Sequence, residues 1–129
     1  MKPLVAQADT LTDPPTIRSV NGILRAALTI TPTPLRIAGA AFVTNLYNGL
    51  YAPPTLRANR GDSIELVLTN NTNANQVTNV HYHGMVVTPL APGDDVFVHI
   101  PVSSAYAYQF QVPVDHAEGM FWYHLSMIA

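Results

Sequence analysis

A chain of 129 residues is the length of one domain rather than two, and it can bury roughly 65–70% of its unfolded surface. With 48% hydrophobic and only 11% charged residues it is neither a disordered segment nor a coiled coil. A formal charge of −2 gives it no electrostatic means of holding nucleic acid or an anionic membrane surface, and the absence of cysteine excludes disulfides, Cys-ligated zinc or iron–sulfur centres and thiolate copper sites.

Residues 1–16 read as an irregular arm without the apolar stretch of a secretory signal, and residues 17–129 as a single domain. Residues 19–30 alternate as a strand with a break at Asn21-Gly22. Thr31-Pro32-Thr33-Pro34 is expected to stop that strand, which restarts briefly over residues 35–37. A third strand over residues 40–47 closes at the turn pair Asn48-Gly49, and Pro53-Pro54 forces an extended entry to residues 55–57. Residues 63–68 (SIELVL) alternate as a half-buried strand.

Residues 69–79 hold five Asn and no charge, so they read as an exposed loop in which Asn70-Asn71-Thr72 matches a glycosylation acceptor. Further strands are expected over residues 80–87, interrupted by Gly84, and over residues 96–101, 106–112 and 120–127. No run of 18 apolar residues is present, so no helical membrane span is expected. Seven to nine short strands at this spacing point to an all-β domain, an antiparallel β-sandwich or Greek-key barrel.

Chemistry is concentrated in the histidines. His81 and His83 are two apart on an expected strand, so both imidazoles leave the same face while Tyr82 points to the other. That geometry suits one metal or two adjacent ones, although an isolated His-x-His is more often a structural or incidental pair. His124 ends Phe121-Trp122-Tyr123-His124, where packed aromatics would fix the imidazole as a ligand requires. His99 in a strand pattern and His116 in a turn read as structural or solvent-facing.

Taken in order, several motifs resemble the first domain of a multicopper oxidase. They are Tyr47-Asn48-Gly49, Pro54-Thr55-Leu56-Arg57, Gly61-Asp62, Asn79-Val80-His81-Tyr82-His83-Gly84, Gly93-Asp94, Asp115-His116 and Gly119-Met120-Phe121-Trp122-Tyr123-His124. The resemblance implies a cupredoxin-like Greek-key β-sandwich. It also implies copper, in a trinuclear cluster that reduces O2 and is shared between a first and a last cupredoxin domain. By the same resemblance His81 would bind the type 2 copper, and His83 and His124 would share one type 3 copper. Asp94, with Asp95 one position away, would be the acidic residue that helps deliver protons, although a turn carboxylate is an equally ordinary role at Pro92-Gly93-Asp94-Asp95. Further cupredoxin domains or other subunits are the expected partners, with a periplasmic or secreted location.

Departures from the family pattern are informative. Where a second His-x-His is expected the sequence reads His124-Leu125-Ser126, so a ligand of the second type 3 copper is missing. Without cysteine there is no type 1 copper. The closing strand of the first domain is also expected to be lacking, which would leave an open edge and favour a homo-oligomer. The alternative is a Cys-free cupredoxin-like module that binds metal or serves a structural role without turnover. A three-His zinc site is a weaker third reading.

Overall fold

The computed structural model describes residues 13–73 and 75–126. It contains eight strands: β1 (Thr16–Arg18), β2 (Ile23–Ile37), β3 (Ala40–Tyr47), β4 (Thr55–Arg57), β5 (Ser63–Asn70), β6 (His81–His83), β7 (Ser104–Gln111) and β8 (Trp122–His124). No helix occurs among the described residues, and hence none long and apolar enough to cross a membrane.

One layer is a four-stranded sheet in the order β3-β2-β5-β7. Its inner face follows from period-two alternation: Leu24, Ala26, Leu28 and Ile30 of β2 lie beside Ile64, Leu66 and Leu68 of β5 and Tyr108 and Phe110 of β7, all buried. Leu24, Leu28, Leu66 and Leu68 are wholly inaccessible, and burying each contributes about 1.5–3 kcal/mol relative to exposure. Val80, Tyr82 and Ile100 close the core from the other layer. That layer consists of two separate pairs, β1-β4 and β6-β8. Between the pairs runs a cleft of about 1100 Å³, flanked by Thr55, Leu56, Phe121 and Trp122 and floored by Leu24 and Tyr82.

Strand pairing in the domain is mixed rather than wholly antiparallel, since β2 pairs β5 and β1 pairs β4 in parallel. Thr31-Pro32-Thr33-Pro34 does not stop β2, which runs unbroken for 15 residues. The reason is register. Asn48 N–H donates to Thr29 O at 2.7 Å, and bonded and non-bonded pairs alternate from there, so Pro32 opposite Asn45 and Pro34 opposite Val43 are non-bonded pairs. Both prolines therefore turn their missing N–H away from β3, on a stretch where β5 has already ended opposite Ile30.

Three further expectations need correction. The strand expected over residues 80–87 is only His81–His83, because Gly84 adopts φ +83° and Met85 N–H turns back to Tyr82 O. Residues 96–101 form no strand: Asp95 accepts from Phe97 N–H through its side chain and from Val98 N–H through its backbone, which makes a turn, and only Ile100 forms a bridge, to Thr78. The arm expected over residues 1–16 reaches into β1 at Thr16, while residues 1–12 lie outside the described residues. The strand expected over residues 120–127 is confined to Trp122–His124, and residue 127 also lies outside.

Asn70 is not an exposed glycosylation site. It is fully buried, donates to Gln76 O and Ile100 O at 2.8 Å, and accepts from Thr72 N–H and Oγ1. Its amide organises the Asn-rich loop from inside.

Candidate metal centre

Strands β6 and β8 pair antiparallel with His81 opposite His124, Tyr82 opposite Tyr123 and His83 opposite Trp122. Alternation then sorts the six side chains. Tyr82 and Tyr123 pack on the core, and the three imidazoles and the indole share the other face. Ligand nitrogens of His81, His83 and His124 all lie within 4.8 Å of one another. His83 and His124, 41 positions apart in sequence, are thus brought together by six paired residues.

Each imidazole is held by a different device. His81 Nδ1–H points at both oxygens of Asp94, 3.0 Å from Oδ1 and 2.9 Å from Oδ2, which leaves Nε2 as the free lone pair. Asp94 is itself buried and accepts Tyr82 N–H at 2.9 Å, so one carboxylate fixes both the strand and the ring it carries. His124 Nδ1–H donates to Leu125 O at 2.6 Å, freeing its Nε2. That Nε2 lies 3.2 Å from His83 Nδ1. Two ligands at 2.0–2.1 Å from one tetrahedral ion are about 3.3 Å apart, so this pair already has the separation that a shared metal demands. Trp122 stacks on both rings, with centroids 4.7 Å from His83 and 4.3 Å from His124 and planes within 29°.

This short ribbon depends on side chains for its remaining backbone bonds. Val80 N–H donates to Tyr108 Oη at 2.9 Å. Asn79 Nδ2 donates to Val96 O, and its Oδ1 accepts Ser126 N–H. Tyr123 Oη donates to Pro54 O at 2.8 Å, tying β8 to the entry of β4. Beneath the face, burial raises the phenols of Tyr47 and Tyr82, and pushes Tyr108 and Tyr123 up to about 12.

The turn that delivers Asp94 is set by Gly93, where an added Cβ would stand 2.4 Å from Thr88 Cγ2 and 2.6 Å from Thr88 O. No other residue fits there without moving the loop. Asp94 N–H then donates to Thr88 O at 2.8 Å.

Of the residues expected from sequence, His81, His83 and His124 come together and Asp94 bonds to His81. Asp95 serves the Phe97 turn instead. His99 is exposed, while His116 is buried, donating to Ala117 O and accepting Val86 N–H at 2.9 Å. Sequence reasoning missed Asn79 and the Leu125 carbonyl. Asn79 adjoins the His-x-His pair, but four other Asn in the same loop mask it, and a carbonyl leaves no mark in a sequence.

A β-sandwich that presents three imidazoles on one face offers a candidate site for a metal ion. Residues 29–129 match the multicopper oxidase family model, and the chain belongs to that family. It is 33% identical over 104 residues to multicopper oxidase elcG of Phaeosphaeria nodorum, covering 78% of this chain and 16% of that protein. It is 32% identical over 99 residues to copper resistance protein A of Pseudomonas syringae pv. tomato, covering 75% of this chain and 15% of the relative. The multicopper oxidase of Campylobacter jejuni, described as a metallo-oxidase, superposes with a TM-score of 0.75 at 28% identity, over 89% of this chain and 24% of that one. The fold is therefore cupredoxin-like, and the chain spans about a sixth of the length of these curated relatives.

Proposed function

We propose that this domain supplies three histidine ligands to a copper cluster completed by a further cupredoxin domain. The carrying observation is the 3.2 Å approach of His83 Nδ1 to His124 Nε2, beside a His81 whose Nε2 is left free by Asp94. In this reading His83 and His124 share a type 3 copper and His81 holds the type 2 copper. The donor set fits: neutral imidazole suits copper, and each ring has one nitrogen free for it. Bound copper supplies the one-electron steps by which an oxidase reduces O2 to water.

The chain's own residues prepare that chemistry. Asp94 fixes the tautomer of His81 and raises its basicity as a ligand. Because Asp94 is buried and touches His81 directly, it is also the group placed to hold or release a proton beside the cluster. Leu125 O and Trp122 orient His124, and Trp122 covers His83. Ser126, two residues after His124, brings no imidazole, and its N–H is bonded to Asn79. Completion of the site falls to the partner domain, in an enzyme of the periplasm or the secreted space.

The cleft between β1-β4 and β6-β8 supports a second element of this reading. An extended segment seated there would join the two pairs into one continuous sheet and close the domain.

Titration with Cu(II) tests the metal reading. The account expects a saturable site whose affinity falls at least about tenfold in both His83→Ala and His124→Ala, in line with loss of a ligand. Unaltered affinity in both would refute it. Oxidation of a phenol by the isolated chain would favour self-sufficient turnover over a shared cluster, while copper binding without turnover fits the shared cluster.

A further inference from the structure

The four-stranded sheet has three places where backbone donors could pair with another chain, and in two of them the row of donors is interrupted. Where β2 outruns β5, the outward positions are Pro32 and Pro34, which have no N–H to offer, and Arg36, which places a charge on the edge. On β7, Pro92 O takes Gln109 N–H at 2.8 Å, which interrupts the outward row of donors that also holds Ala105 and Ala107. The outer edge of β3 carries no such guard. Its eight residues, Ala40 to Tyr47, include no charge and no proline. By the alternation that places Pro34 opposite Val43, the backbone groups of Ala41, Val43 and Asn45 face away from β2. Among the described residues these three make no other backbone bond.

The side chains agree with the backbone. The part of β2-β3 beyond Ile30 is a two-stranded ribbon, marginal without further strands. Val43 is 64% exposed, and Phe42 and Ile37 are 42% and 43% exposed. A hollow of about 530 Å³ on the same ribbon is lined by Pro34, Leu35, Arg36, Ala41, Phe42 and Val43.

We infer that β3 is a self-pairing edge, which docks antiparallel on β3 of a second copy across a twofold axis. A second copy is the fitting occupant because the edge is self-complementary. Without a charge on β3, antiparallel pairing sets no like charges opposite one another, and each ribbon presents its apolar side chains to the same residues of its mate. Two marginal ribbons then become one four-stranded antiparallel sheet, and both unguarded edges disappear.

Val43 gives a selective test. Val43→Pro deletes only an outward N–H, since the residue opposite Pro34 donates nothing to β2, and Val43→Lys places a charge on the edge without touching the backbone. Sedimentation of the 129-residue chain over a wide concentration range should show a reversible dimer. Each variant should weaken it by roughly tenfold or more, because the twofold removes the same contact from both copies. Circular dichroism matching wild type would establish that the variants are folded. Amide exchange at Val43 and Asn45 should slow with protein concentration. A wild-type chain that stays monomeric throughout, or a dimer equally tight in both folded variants, overturns the inference; the latter would move the contact to another surface such as the cleft.

Discussion

The β2-β5-β7 sheet and the β6-β8 ribbon solve different problems with different means. In the sheet, strands of eight residues or more bury alternate aliphatic side chains, and stability comes from apolar area. The ribbon has three residues per strand, far too little to stand alone, and is fixed by Asp94, Asn79, Tyr108 Oη and Pro54 O, which bond to it from outside. The sheet is a rigid support, and the ribbon is a short platform whose geometry is written in side-chain hydrogen bonds. A metal site profits from that division, because ligand orientation can be tuned through single polar contacts while the core stays unchanged.

The sharpest way to break the comparison is to damage each region separately. Leu66→Ala should lower unfolding free energy by about 2–5 kcal/mol in a urea titration, while folded protein keeps its copper affinity. Asp94→Ala should show the opposite weighting. Losing the acceptor of Tyr82 N–H costs about 1–3 kcal/mol. Releasing His81 should reduce Cu(II) affinity at the position His81 serves about 10–100-fold by calorimetric titration, with the His83–His124 position less affected. Asp94→Asn retains an acceptor and should recover most of the stability without all of the affinity. If Leu66→Ala weakened copper binding as much as Asp94→Ala, the two regions would not be separable.

Alkali should attack both through the layer of phenols between them. Tyr108 and Tyr123 are pushed up from 10.0 to about 12, and Tyr47 and Tyr82 are raised further, so the folded state holds these protons more tightly than the unfolded chain does. Their contribution is complete below pH 10 and declines as pH rises through 12. Melting temperature should therefore fall across that interval, together with the appearance of tyrosinate absorbance. A melting temperature unchanged to pH 12 would contradict the assignment.

Trp122 should give the smallest effect. It is 59% exposed, so Trp122→Ala should leave stability within about 0.5 kcal/mol. It should nevertheless lower Cu(II) affinity several-fold, by about the 0.5–1.5 kcal/mol of a stacked aromatic pair, with Trp122→Phe restoring most of it. Equal affinity in all three proteins would show that the stack does not orient the ligands.

This division also explains which features the sequence revealed. Strand β5 and most of β7 stand out in their alternation, because burial on one face is a periodic demand, whereas β3 is marked by the Asn48-Gly49 turn that closes it. Pro32 and Pro34 misled because their effect depends on which pair in the ladder is bonded, and that is set by the Asn48 turn rather than by the prolines. In residues 96–101 the apolar pattern suggested a strand, but Asp95 took the next backbone donors into a turn. At the site, the His-x-His spacing and Trp122-Tyr123-His124 marked the three histidines that the fold brings together, since side chains two apart on a strand share a face. Asn79 and the Leu125 carbonyl were hidden because their action requires the register of His81 against His124.

The central claim is that the β6-β8 register assembles a metal site between His83 and His124. It is tested most directly by crystals of the chain grown with Cu(II) and measured at the copper absorption edge. The account predicts an anomalous peak bonded to His83 Nδ1 and His124 Nε2, with Asp94 still holding His81 Nδ1. Copper bound elsewhere, with these two rings unliganded, would contradict it.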